Sequence, residues 1–192
     1  MDFAVQRLTL EQGGAPNYHL LDSSGKLVMV ADQNAVPRPD ARRQVRLAQP
    51  DGQLLATIDL PQPDREGRNQ VDGADYAIIH EYAVYAILSV HRPATKEAGA
   101  VGTYFTLEVE GEKWLALCDP RRDECYLLYD EIPDSLDTYS RLTELDLPPS
   151  IGRICRDAGD YAFGVNLAPT RLQQTGLIIL ALAFLIDQVG HA

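Results

Sequence analysis

The sequence predicts a mainly β fold, a closed antiparallel barrel of about twelve strands around a hydrophobic C-terminal α-helix. Three observations lead there. Strand–turn–strand units recur through the first three quarters of the chain, and their strands alternate apolar and polar residues. Near the C-terminus, GLIILALAFLIDQVG (Gly176 to Gly190) is apolar on every helical face up to Asp187. A one-sided sheet needs something apolar to cover, and an all-round apolar helix needs a cover. With 192 residues and 45% hydrophobic content, the chain suits one domain spanning 1–192.

The hairpins come first. NYHLLDSSGKLVMVAD reads as strand, turn, strand, with Asp22-Ser23-Ser24-Gly25 as the turn. QVRLAQPDGQLLATIDLP repeats the form around Pro50-Asp51-Gly52, and TYFTLEVEGEKWLALCDP around Glu110-Gly111-Glu112. Leu54, Ala56, Ile58 and Leu60 fall on one face, with Leu55 the exception, and Phe105, Leu107 and Val109 do the same. DYAIIHEYAVYAILSVHRP is a longer strand pair on this reading, although its pattern also admits a helix. Later strands are expected in ECYLLYDE, IGRICRD and DYAFGVN, and 134–149 reads as a loop with a helical turn. NAVPRPDARRQ and PQPDREGRNQVDGAD are polar, rich in Pro or Gly, and expected as surface loops joining hairpins.

The helix is expected over about 170–189. Thr170 and Gln173 form a capping-box pattern behind Pro169, and Gly190 suits the position after the last turn. Its uninterrupted apolar run, Leu177 to Ile186, has ten residues. Ten helical residues rise roughly 15 Å, against the ~30 Å of a bilayer core. Extension in either direction meets Arg171, Gln173 and Gln174 or Asp187 and Gln188, and the Asp alone would cost on the order of 3 kcal/mol in hydrocarbon. Burial within protein is the expected outcome.

Charge bears on partners. A net charge of −11 argues against nucleic acid, whose phosphates repel such a surface. It also weakens simple docking to anionic lipid unless basic residues gather on one face. Three cysteines, Cys118, Cys125 and Cys155, with no Cys-x-x-Cys spacing, are expected as reduced thiols in a cytoplasmic protein. A disulfide between Cys118 and Cys125, which flank DPRRDE, is the alternative. MDFAVQRLTLEQ lacks the pattern of a signal peptide, and no lipidation signal is read at either end.

On these residues a family resemblance appears. YHLLDSSGKLVMVA, VRLAQPDGQLLATIDLP, IGRICRD and DYAFGVNLAPTRLQQTGLIILALAFLID resemble the phospholipid scramblase and LURP-one-related group of the tubby-like superfold. The resemblance runs from about Leu8 to Asp187, and Phe163-Gly164 through Leu185-Ile186-Asp187 is its most specific part. It implies a barrel of strands around the C-terminal helix and, through tubby domains, basic outer residues that meet phosphoinositides. Scramblases carry acidic residues just before the terminal helix, proposed to hold calcium. The positions that line up with them here are Thr170 and Leu172, which offer no carboxylate. Asp157 and Asp160 remain upstream. The Pro-rich N-terminal arm and the palmitoylated cysteine cluster are also missing. Calcium-triggered scrambling is not expected.

Candidate site residues are few. Arg38, Arg42, Arg43 and Arg46 lie in a loop running into a strand, where Val45 and Leu47 point inward and Gln44 and Arg46 outward. Arginine presents a forked donor to phosphate oxygens, so these four form the candidate lipid or anion site; the alternative is a solvated loop. Arg121 and Arg122 read as turn residues. The acidic run Asp130, Glu131, Asp134 and Asp137 has no EF-hand spacing, and His19, His80, His91 and His191 show no ligand spacing. His80 and Glu81 are adjacent in a strand and expected on opposite faces. No nucleophile motif, P-loop, dinucleotide fingerprint or zinc spacing occurs. The chain is therefore read as non-enzymatic, with no catalytic residue, metal or cofactor assigned. A cytoplasmic monomer, peripheral at membranes through phospholipid headgroups, is the first reading. A scaffold for protein partners is the second, and a C-terminal membrane anchor the third.

Overall fold

The computed structural model describes residues 2–8, 17–33, 44–60, 74–92, 102–119, 121–122, 124–133, 147–156, 162–167 and 174–190. They form one antiparallel sheet of twelve strands and a single C-terminal helix. The strands are β1 (Asp2–Leu8), β2 (Asn17–Asp22), β3 (Leu27–Gln33), β4 (Gln44–Ala48), β5 (Leu54–Asp59) and β6 (Asp75–His80), then β7 (Ala83–His91), β8 (Tyr104–Val109), β9 (Glu112–Cys118), β10 (Cys125–Tyr129), β11 (Gly152–Arg156) and β12 (Ala162–Leu167). The helix α1 spans Thr175–Gly190.

From β2 to β12 each strand pairs with the next in sequence, a meander. β1 breaks the pattern. It pairs with β2 along one edge, Arg7 opposite Tyr18, and with β12 along the other, Val5 opposite Phe163. The strand order therefore returns to its start, as a barrel does. Alternation alone does not announce β1, because DFAVQRL places an arginine on the apolar parity.

Turn chemistry sets the hairpins. Gly25, Gly52 and Gly111 take positive φ of 79°, 89° and 81°, which an L side chain adopts only with strain. The Asp22 carboxylate accepts from the Ser24 amide at 2.8 Å, the Ser24 hydroxyl at 2.6 Å and the Lys26 amide at 3.0 Å, closing the first turn. Those hydrogen bonds, led by the Ser24 hydroxyl, hold its carboxyl below the usual range. Between β6 and β7 the two-residue turn is Glu81-Tyr82, both at positive φ (49° and 65°). That is the geometry a tight hairpin demands, here met by residues that dislike it.

The antiparallel course puts the β2–β3, β4–β5, β6–β7 and β8–β9 turns at one end, the turn end. The connections β3–β4, β5–β6, β7–β8 and β9–β10 lie at the other, the loop end. The helix runs from the turn end to the loop end. At its start a Cβ on Gly176 would stand 3.3 Å from Leu20 Cδ2 and 3.5 Å from Met29 Cε. Glycine lets this first turn approach β2 and β3 closely.

Every side chain from Leu177 to Asp187 is buried. The apolar members share one core with inward residues of β1 to β11, among them Val5, Leu20, Leu47, Ile78, Leu88 and Ile154. Burying one such side chain contributes roughly 1.5–3 kcal/mol, so helix and sheet stabilise each other. A second, smaller cluster of Tyr104, Leu115, Leu117 and Tyr129 packs with Leu127, Ile132 and Leu147. It uses the parity of β9 opposite to Trp114 and Ala116, which explains why WLAL is apolar without alternation: both faces of β9 are covered.

Five expectations need correction or bounds. Leu54 keeps the parity of Ala56 and Ile58 yet is half exposed, because its strand begins beside a register shift at Leu47/Ala48. The cysteines are not all thiols, since Cys125 and Cys155 sit directly opposite on β10 and β11 and form a disulfide. Cys118 takes no part in it, so the alternative Cys118–Cys125 pairing does not form either. Gly190 falls inside the helix rather than after it, and the capping pattern at Thr170 and Gln173 lies outside the described residues. The helix of 16 residues rises about 24 Å, and among the described residues no helix is long and apolar enough to cross a membrane.

Candidate functional site

Four strand and helix ends bring polar groups together at the loop end. β1 carries Arg7, one residue before its end, on the inward parity of Val5, β2 carries Tyr18, its second residue, on the parity of Leu20, and β11 ends in Arg156 on the parity of Ile154. The last turn of α1 supplies Asp187, fully buried. Its Oδ2 accepts from the Tyr18 hydroxyl at 2.6 Å and lies 3.2 Å from Arg7 Nε. Its Oδ1 accepts from an Arg156 terminal nitrogen at 2.7 Å. The other terminal nitrogen of Arg156 donates to Glu124 Oε1 at 3.1 Å, and Gln188 Nε2 donates to the Tyr18 hydroxyl at 3.4 Å.

The electrostatics follow from position. A carboxylate near a helix C-terminus faces the negative end of the helix dipole and is disfavoured there. Two guanidinium groups offset both that field and the loss of water. Burial, and then the hydrogen bond to Asp187, raise the Tyr18 phenol well above its ordinary value, so it acts as a donor. Tyr126, on β10 at the same end, is pushed up to about 12, chiefly by burial. Both oxygens of Asp187 are occupied. The cluster holds the helix end in place and keeps two arginine side chains, each 18% exposed, at the rim.

Those two belong to a wider asymmetry. Arg46 on β4, Arg92 after β7 and Arg121 and Arg122 in the β9–β10 turn also sit at the loop end, interleaved with Asp32, Asp59, Asp75, Asp119 and Glu124. The turn end carries Asp2, Asp22, Asp51, Glu81, Glu110, Glu112, Asp130 and Glu131 against Lys26, Lys113 and Arg153. With Asp187 counted, acids and arginines balance among the described residues of the loop end, while the turn end keeps an excess of acid.

Of the four arginines expected to form a lipid site, Arg38, Arg42 and Arg43 lie outside the described residues. Arg46 is on β4, between inward Val45 and Leu47 as the alternation requires, with its side chain 38% exposed and 3.9 Å from Asp32. The segment containing the other three joins β3 to β4 and so departs from and returns to the loop end. Arg121 and Arg122 are turn residues. Asp119 caps them through its carboxylate, which accepts from the Arg121 amide at 2.9 Å. His80 places Nδ1 2.7 Å from the Leu55 carbonyl, and its Nε2 comes within 4.0 Å of Glu81. The expectation of opposite faces fails because Glu81 has left the strand for the turn. His91 stacks on Tyr104 and meets Thr106 Oγ1 at 2.9 Å. Among the described residues no group of three or more His, Cys, Asp or Glu is placed to hold a metal ion. A pocket of about 270 Å³ beside Glu131, Pro133, Leu147 and Pro148 lies away from the arginines.

Arg7, Tyr18, Arg156 and Asp187 escaped sequence reasoning. One signal was present: an arginine on inward parity near a strand end, twice, and one acid closing the apolar helix. No family model matches the sequence, and no curated protein matches it.

Proposed function

We propose that this protein is a non-catalytic, tubby-like barrel that docks its arginine-bearing loop end on anionic phospholipid headgroups. The observation that carries the reading is the uneven distribution of charge along the axis. A net charge of −11 disfavours contact with an anionic surface averaged over all orientations. Arg7, Arg46, Arg92, Arg121, Arg122 and Arg156 balance the acids at one end, and the β3–β4 segment that contains Arg38, Arg42 and Arg43 attaches there, so presenting that end is the least repulsive orientation. The acidic turns then point away from the bilayer. The resemblance to the scramblase and LURP-one-related group supports a lipid-directed role, and the sheathed helix is in keeping with peripheral rather than spanning association. In this reading the chain is a monomer without metal or cofactor. The Cys125–Cys155 disulfide weighs against a reducing compartment, so the membrane surface is proposed without naming its side.

Co-sedimentation with phosphatidylserine-containing vesicles, against phosphatidylcholine alone, tests it. Each arginine near an anionic surface is worth about 1 kcal/mol. Neutralising Arg38, Arg42, Arg43 and Arg46 together should then weaken binding at least ~100-fold. Equal pelleting of wild type and variant, or no pelleting above the neutral vesicles, overturns the proposal.

A further inference from the structure

Exposed apolar side chains scattered singly over a surface carry no message, whereas a contiguous group does. Five large hydrophobic residues are exposed among the described residues, and four of them (Leu54, Tyr82, Val84 and Ile87) belong to β5, the β6–β7 turn and β7. The register joins Tyr82, Val84 and Ile87 on the β6–β7 hairpin, whereas Leu54 keeps the inward parity of β5 and is not part of that face. On the outer side of the sheet Val84 is opposite Ile79 and Ile87 opposite Ala77, while Thr57 of β5 is opposite Ile79. Tyr82 stands fully in solvent at the tip of this hairpin, at a φ of 65°. The tight turn holds this aromatic residue in the left-handed region and so carries its ring at the tip.

The rim of the patch is acidic. Glu81 precedes Tyr82 with its side chain 86% exposed, Glu108 lies opposite Ile87 with Lys113 of β9 on its other side, and Glu110 is close enough to Tyr85 of β7 to add to the burial that raises its phenol, so acids outnumber the one base. This charge decides among occupants. An anionic membrane is repelled by it. A second copy of the chain, meeting the patch about a two-fold axis, would bring the same acids face to face.

We propose that the outer face of β6–β7, with Tyr82 at its tip, docks a protein partner whose contact segment combines apolar side chains with lysine or arginine. Tyr82, Val84 and Ile87 supply the anchors, and Glu81, Glu108 and Glu110 select the charge. The surface belongs to the turn end and operates independently of lipid docking at the loop end, so a bound partner and a membrane occupy opposite ends of the barrel.

Fluorescence anisotropy with the full chain and three labelled synthetic peptides tests this: an amphipathic Lys–Leu peptide, a Glu–Leu peptide of the same pattern, and a Lys–Ser peptide. The Lys–Leu peptide should bind, and the other two should bind at least tenfold more weakly. Tyr82→Ser/Val84→Ser, which removes anchors, and Glu81→Lys/Glu108→Lys, which keeps them, should each weaken Lys–Leu binding at least tenfold. Unchanged affinity in either variant, or equal binding of the peptides, overturns the proposal. So does a dimer in sedimentation velocity that Tyr82→Ser/Val84→Ser dissolves, which would make a second copy the occupant. Vesicle pelleting that depends on Tyr82 overturns it in favour of lipid and leaves the arginine test at the other end untouched.

Discussion

Replacing Asp187 by asparagine keeps the size of the side chain and removes its charge. In the native protein that charge is fully buried, 2.7 Å from Arg156, 3.2 Å from Arg7 and 2.6 Å from the Tyr18 hydroxyl. Breaking a buried ion pair from one side costs about 3–5 kcal/mol, since the remaining charge stays desolvated. Here the guanidinium groups keep 18% exposure, which favours the lower figure. The asparagine amide would also turn a donor towards either Arg156 or Tyr18. An expected loss of about 3 kcal/mol lowers the folding constant roughly 100-fold. Trp114 is the single tryptophan and is 3% exposed, so its fluorescence follows urea unfolding directly. The midpoint should fall with little change in slope. Arg156→Met should cost less when Asp187→Asn is already present, giving a coupling of at least ~1 kcal/mol. A loss below ~1 kcal/mol, or fully additive single and double variants, would mean that packing of Leu177 to Ile186 alone holds the helix.

Two further outcomes follow from the same residues. Cys125→Ser/Cys155→Ser, or reduction of the wild type, opens a loop of sequence separation 30 and should lower stability by about 3.6 kcal/mol in the chain-entropy account; thermal unfolding with and without reductant measures it, and an unchanged midpoint excludes a stabilising role. The Tyr126 phenol, raised to about 12 mainly by burial, favours the neutral form in the folded state. Its stabilisation is complete below pH ~10, where the unfolded phenol titrates, and is lost between there and about 12. Absorbance at alkaline pH should show tyrosines ionising together with unfolding, a coincidence that Tyr126→Phe weakens.

How much of this was legible in the residues differs from place to place. The hairpins were, because Gly25, Gly52 and Gly111 mark the turns, and because Phe105, Leu107 and Val109 alternate cleanly. The helix was too, since ten apolar residues leave it no exposed face and too little length for a bilayer. β1 was hidden, because its inward Arg7 looks like a surface residue until a partner is known. Asp187 was read as the end of an apolar run, when its role depends on Arg7 and Arg156, roughly 180 and 31 positions away. The disulfide was also invisible, since Cys125 and Cys155 meet only through the β10–β11 register. Long-range pairing is the information a local pattern lacks.

The seam between β1 and β12 governs the order of events during synthesis. Asp2 finds its partner at Asn166, and the segment that fills the interior is made later still. At roughly 5–20 residues per second, the nascent meander spends on the order of ten seconds or more with its greasy lining uncovered. Until the final strand and rod emerge, that lining is open to aggregation, and closure through contacts so distant in sequence favours slow folding.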